Sequence, residues 1–128
     1  MNEFDYIKNY LRPLTNNAGR LFLDDAAVFS SQENIDYVVS TDTLVEKVHF
    51  LGNESPNILA KKALRVNLSD LAAMGAEPLY YNLSLSIPKK RARAFIKPFS
   101  EGLSLDQKNF NIHLIGGDLT SSNSEITI

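Results

Sequence analysis

The chain has 128 residues, 44% of them hydrophobic, a formal net charge of −2 and no cysteine. That length supports one ordinary domain around a single modest core, and the composition is that of a folded globular protein. The mildly acidic balance provides no cationic surface for a nucleic-acid backbone, and the lack of cysteine excludes disulfides, thiolate zinc sites and cysteine nucleophiles. Residues 1–5 lack the basic head and apolar core of a signal peptide, and no apolar run reaches the length of a membrane span. The expected setting is the cytoplasm.

Phe4, Ile7 and Leu11 recur at helical spacing ahead of Pro13, which predicts a short amphipathic helix. Residues 15–20 are turn-rich, 21–29 form a short and mostly apolar piece, and 30–34 read as a turn before a strand over 35–40. Ser55 is placed to cap a helix that opens on Pro56 and runs to Met74, with Gly75 as its left-handed terminator and Leu64, Leu68 and Leu71 as its main apolar stripe.

Leu79, Tyr81, Leu83, Leu85 and Ile87 alternate with Tyr80, Asn82, Ser84 and Ser86, the pattern of a half-buried strand closed by Pro88. Phe95, Phe99 and Leu103 predict a helix within 89–110. Pro98 inside it costs about 3 kcal/mol, so a kink or two shorter helices are expected. A short strand over 111–115, a tight turn at Gly116-Gly117-Asp118 and a strand over 124–128 complete the chain. No internal repeat is visible. The expected fold class is α+β, a mixed and largely antiparallel sheet flanked by helices, in one domain over 1–128.

The polar chemistry is densest in residues 40–50, Ser-Thr-Asp-Thr-Leu-Val-Glu-Lys-Val-His-Phe. Aspartates also stand at 24, 25, 70 and 118. Carboxylates from several loops suit a hard cation such as magnesium, which takes oxygen ligands and could bridge to a nucleotide's phosphates. Taken singly, each aspartate serves more simply as a helix cap or turn residue. Asn67, Asp70 and Met74 share one helical face in a largely apolar segment, so Asp70 either meets a cation or donors there or lies on an exposed face. Gly116-Gly117 reads as a hairpin turn or as a backbone able to approach a phosphate closely. His49 reads as a surface-loop residue or as a partner for an anionic substrate, and His113 as structural. The basic run Lys89-Lys90-Arg91-Ala92-Arg93 reads as a solvated helix face. The phosphate loop of P-loop kinases, the Rossmann fingerprint and the nucleophile elbow of serine hydrolases are all missing.

In order along the chain, Asp24-Asp25-Ala26-Ala27-Val28, Ser40-Thr41-Asp42-Thr43-Leu44-Val45 with His49-Phe50, Asn67-Leu68-Ser69-Asp70-Leu71-Ala72-Ala73-Met74-Gly75-Ala76 and Gly116-Gly117-Asp118 resemble the motifs of thiamine-monophosphate kinases. That family belongs to a superfamily with aminoimidazole ribonucleotide synthetase and selenophosphate synthetase, and the lack of cysteine argues against the last. The resemblance implies transfer of a phosphoryl group from ATP to thiamine monophosphate, giving thiamine diphosphate, with magnesium. It implies Asp25, Ser40, Thr41, Asp42, Asp70 and Asp118 at the metals, Gly116 and Gly117 facing ATP, His49 at the substrate and no protein base. It implies a homodimer whose sheets join into a barrel, and a second, C-terminal domain that this chain lacks, so that 128 residues alone are expected to be inactive. Leu23 departs from the family, which has glycine before the paired aspartates. The competing expectation is a non-catalytic remnant or partner-binding domain of the same superfamily.

Overall fold

The computed structural model describes residues 26–31 and 33–128, with residues 5, 8, 9, 13 and 23 singly before them. Phe4, Ile7 and Leu11 of the expected first helix, the turn-rich stretch 15–20 and the Asp24-Asp25 pair lie outside the described residues. The elements are β1 (Ala27–Ser30), β2 (Asp36–Val39), α1 (Pro56–Ala73), β3 (Tyr80–Ser86), α2 (Lys89–Phe110) and β4 (His113–Thr120). They fall into two compact units: Met1–Thr41 with Ser69–Glu77, and Asp42–Leu68 with Pro78–Ile128.

In the first unit β1 and β2 form an antiparallel hairpin, registered from Ala27↔Val39 to Ser30↔Asp36. Asn34 takes a positive φ of 58°, a conformation its short polar side chain tolerates, and the Ser31 N–H closes the connection on the Ile35 carbonyl at 2.7 Å. Phe29 and Tyr37 are register partners with ring centroids 5.3 Å apart, the cross-strand contact that helps stabilise so short a pair. The end of α1 also lies here. Gly75 has φ +66°, the Ala76 N–H reaches back to the Leu71 carbonyl and the Gly75 N–H to that of Ala72, so glycine terminates the helix as its sequence position predicts.

The second unit holds the core. Leu59, Ala60, Ala63 and Leu64 of α1, Leu85 of β3, and Phe95, Phe99 and Leu103 of α2 are buried together with Leu44, Phe50, Ile112 and Ile126. β3 and β4 pair in parallel, from Tyr80↔His113 to Ser86↔Thr120, which corrects the expectation of a largely antiparallel sheet. The reason is α2: a helix between two neighbouring strands carries the chain back to its starting end, so both strands run the same way. Alternation in β3 did identify its inward side chains, because any strand with one covered face alternates.

Three further expectations change. α2 is one continuous helix through Pro98. Proline's φ is helical, Ala94, whose carbonyl loses its partner, is exposed to water, and Phe95, Phe99 and Leu103 all draw the same face into the core. Residues 124–128 form no ladder of their own. Thr127 makes isolated bridges to Val45 and Ser86, and fully buried Ile126 anchors the segment. Gly116, Gly117 and Asp118 lie inside β4, where no turn forms. Register shifts beside them: Tyr81 pairs with Leu114 and Asn82 with Gly116, so Ile115 bulges out. Gly117 has φ +148°, and a Cβ there would fall 1.8 Å from the Leu83 carbonyl oxygen, so only glycine lets the strands approach this closely.

Between the helices of this unit, Arg65 on α1 grips Asp106 on α2 with two hydrogen bonds of 2.7 and 2.8 Å, and Asn109 adds a third at 3.3 Å. Asp106 is completely buried, so these donors replace the water it has lost. Among the described residues no helix is long and apolar enough to cross a membrane.

The two glycines of β4 should respond differently to alanine. Gly117→Ala is expected to lose roughly 2–3 kcal/mol of stability from backbone strain and the clash with Leu83. Gly116→Ala meets only the Asn82 amide oxygen at 3.1 Å and should lose about 1 kcal/mol or less. Urea denaturation of the two variants measures both.

Candidate functional site

Residues 40–50 leave the end of β2 as an irregular segment, and its polar groups are held by specific partners. In the first unit the Ser40 hydroxyl donates to the Asp70 carboxylate at 2.8 Å, and both residues are half-buried. Asp70 thus sits on α1 half-buried, with the Ser40 hydroxyl as a donor to its carboxylate. Thr41 is exposed in the same unit.

In the second unit the Asp42 N–H donates to the Asn67 side-chain oxygen at 3.0 Å. The Asn67 amide nitrogen donates to the Ala63 carbonyl at 3.0 Å, which fixes the amide with its oxygen toward the arm. The Asp42 carboxylate is left at the surface. Farther on, Leu44 exchanges two backbone hydrogen bonds with Ile128, and the Glu46 N–H reaches the Ile126 carbonyl at 2.9 Å. The chain then turns: Lys47 adopts φ +66°, and the Val48 and His49 N–H groups both return to the Val45 carbonyl.

His49 Nδ1 accepts the Val45 N–H at 3.0 Å, which places the neutral ring's proton on Nε2. Lys62 of α1 donates to the His49 carbonyl, and buried Phe50 seats the end of the arm in the core.

Glu46 is the buried charge of the arm. Arg91 Nη1 meets its two oxygens at 2.9 and 2.7 Å, and the Ile126 N–H adds 2.8 Å. These donors, Arg91 foremost, hold its carboxyl below the usual range against the opposing effect of burial. Asp106 is likewise held low, chiefly by Arg65. The basic run at 89–93 is therefore not all solvated face: Arg91 turns inward to Glu46. Sequence reading missed both partners. The one local signal was that Glu46 alternates with Leu44, so an extended chain places them on the same side.

Gly116, Gly117 and Asp118 lie exposed on β4, with Asp118 registered against Ser84. Asp25 is outside the described residues. Among the described residues no three carboxylates or histidines gather into one group. A cavity of about 310 Å³ beside the arm is lined by Phe50, Gly52, Leu59, Arg91, Phe95 and Ile126 among others, and by none of the residues expected at the metals, the nucleotide or the substrate.

Comparison with known proteins gives a consistent family. Residues 23–128 match the family described as AIR synthase related protein, N-terminal domain. The chain is 45% identical to thiamine-monophosphate kinase of Haemophilus influenzae and 41% identical to that of Caulobacter vibrioides, alignments that take in 100% and 98% of this chain but 40% and 36% of those proteins. Among solved structures it resembles AaThiL complexed with AMPPCP and TMP, at 27% identity and a TM-score of 0.87, over 98% of this chain and 39% of that one. The chain thus spans about two fifths of the length of the curated relatives it matches.

The depressed carboxylates give a pH signature. Because their folded values lie below the ordinary 4.5 of Glu46 and 3.8 of Asp106, the stability they contribute is complete above those values and is lost as pH falls through the lower folded ones. Asp106→Asn should therefore cost most at pH 7 and converge on the wild type in acid. Arg65→Met removes the largest influence that holds Asp106 low and leaves Asn109 as the remaining side-chain donor to a buried carboxylate, so that variant should lose stability at neutral pH and lose less of it toward acid as the carboxyl protonates. Urea midpoints across pH 3–7 measure both.

Proposed function

The chain belongs to the AIR synthase related protein family through its N-terminal domain, and from that premise we propose that it forms the N-terminal part of a kinase acting on thiamine monophosphate. The reaction moves a phosphoryl group from ATP to that substrate's phosphate and yields thiamine diphosphate. The observation that carries this reading is the likeness, over 98% of the chain, to a structure holding AMPPCP, an ATP analogue, and TMP. The thiamine-monophosphate kinases among its relatives support it.

The residue roles follow the motifs. Asp25, Ser40, Thr41, Asp42, Asp70 and Asp118 would hold magnesium, Gly116 and Gly117 would face the nucleotide, and His49 would bind the thiamine phosphate. The donors are all hard oxygens, as magnesium prefers. The Ser40 and Asp70 oxygens stand 2.8 Å apart, close to the roughly 3.0 Å between neighbouring ligands of an octahedral ion bound at about 2.1 Å. Bound magnesium would neutralise and align the phosphates of both reactants.

The protein's own residues would supply orientation. His49 offers an Nε2–H donor to an acceptor on the substrate, and the missing Cβ at Gly117 permits close packing of backbone in β4. The attacking phosphate is already largely ionised near pH 7, so no general base is needed.

Relatives more than twice as long as this chain support a further, C-terminal domain that completes the enzyme. Homodimerisation is part of the same proposal, in the form of a joined, barrel-like sheet. Its support is apolar side chains exposed on the strands: Phe29 and Tyr37 in one unit, and Leu114, Ile115 and Leu119 in the other. A cytoplasmic setting suits an enzyme that uses ATP.

Two measurements test the proposal. Calorimetry should show magnesium-dependent ATP binding that Asp42→Asn and Asp70→Asn each weaken by about tenfold or more, at least roughly 1.4 kcal/mol. No binding at millimolar nucleotide, or none of this sensitivity, would leave a non-catalytic domain as the reading. Sedimentation should give a dimer, and a monomer at high concentration contradicts that part.

A further inference from the structure

We propose that Glu46 and Arg91 are a positioning pair that holds His49 in one ring tautomer and one orientation, with Nε2–H presented to the substrate. The inference rests on the kinase reading for what His49 binds, but its geometry stands within the second unit alone.

His49 is placed by the turn that precedes it. Its Nδ1 and its N–H both bind Val45, one residue before Glu46, and the Lys47 N–H closes on the Phe50 carbonyl at 2.6 Å. The peptides of 45–47 therefore decide where the imidazole lies. Those peptides are fixed from the inside by Glu46, whose carboxylate takes Arg91 on both oxygens and the Ile126 N–H on one. From the outside they are fixed more weakly, by an exposed Lys47–Glu125 ion pair.

The surroundings are shaped to this carboxylate. Gly52 has φ +94°, and a Cβ there would sit 2.0 Å from Glu46 Oε1. Arg91 Nη2 also points at the Gly52 carbonyl, at 3.3 Å, so the guanidinium spans both sides of the turn. A buried ion pair is seldom the most stable filling for such a space, since apolar residues of similar volume often do as well. What it adds is direction. One guanidinium nitrogen held between both carboxylate oxygens, with the Ile126 N–H on one of them and Nη2 on the Gly52 carbonyl, allows one carboxylate orientation, and hence one arrangement of the turn that carries His49.

Conservative variants, Glu46→Gln and Arg91→Lys, in the product of the complete reading frame test the pairing. Long-range proton–nitrogen NMR spectra, with His49→Asn identifying the His49 signals, should show the Nε2–H form in wild type and a mixture of tautomers in both variants. In phosphoryl-transfer assays both variants should raise KM for thiamine monophosphate about tenfold while KM for ATP stays within about twofold. Glu46→Gln should add nothing further in a His49→Asn background.

A His49 spectrum unchanged by both variants overturns the pairing, as does a Glu46→Gln effect that adds in full to that of His49→Asn. The kinase reading fails separately, if wild type moves no phosphate to thiamine monophosphate; the spectra then decide the pairing alone.

Discussion

Glu46 is the constraint on which the arrangement of the second unit depends. A carboxylate that is almost wholly removed from water must find replacement donors, and it finds them on two segments distant in sequence: Arg91 of α2 and the backbone of Ile126. Satisfying one side chain thus ties the arm after Asp42, the second helix and the last residues of the chain together. Leu44, Phe50 and Ile126 then enter one core with Leu59, Leu85 and Phe95. Apolar burial supplies most of the stability, and the ion pair supplies the geometry.

The arm is held at both its ends as well. Asn67 takes the Asp42 N–H and Lys62 the His49 carbonyl, so α1 grips it twice, five residues apart on the helix. In the first unit the same helix carries Asp70 to the Ser40 hydroxyl. Within the second unit α1 therefore fixes the arm from Asp42 to His49. Arg65 and Asp106 in turn fix that helix against α2.

Features set by neighbours in the chain were legible in the sequence. Ser55, Pro56 and Gly75 bracket α1 to within a residue, although the Ser55 hydroxyl binds Asn57 and not the helix N–H groups. The alternation of Tyr81, Leu83 and Leu85 marks the inner face of β3. Features set by distant pairing were not legible. Gly116-Gly117 has the composition of a turn, and only the bulged register against Asn82 and Leu83 makes it strand. Pro98 breaks an isolated helix, yet three buried side chains hold α2 through it. Of the site, the motif residues could be named and the Asn67–Asp70 face recognised. Glu46 and Arg91, 45 positions apart, could not be joined without the fold.

The proposed contribution of this chain to phosphoryl transfer onto thiamine monophosphate is tested most directly by following the phosphate itself. The product of the complete reading frame is incubated with magnesium, γ-labelled ATP and thiamine monophosphate, and the thiamine species are separated. Label is expected in thiamine diphosphate, formed in step with ADP and abolished when magnesium is chelated. Label released only as inorganic phosphate, or found in no thiamine species, would contradict it.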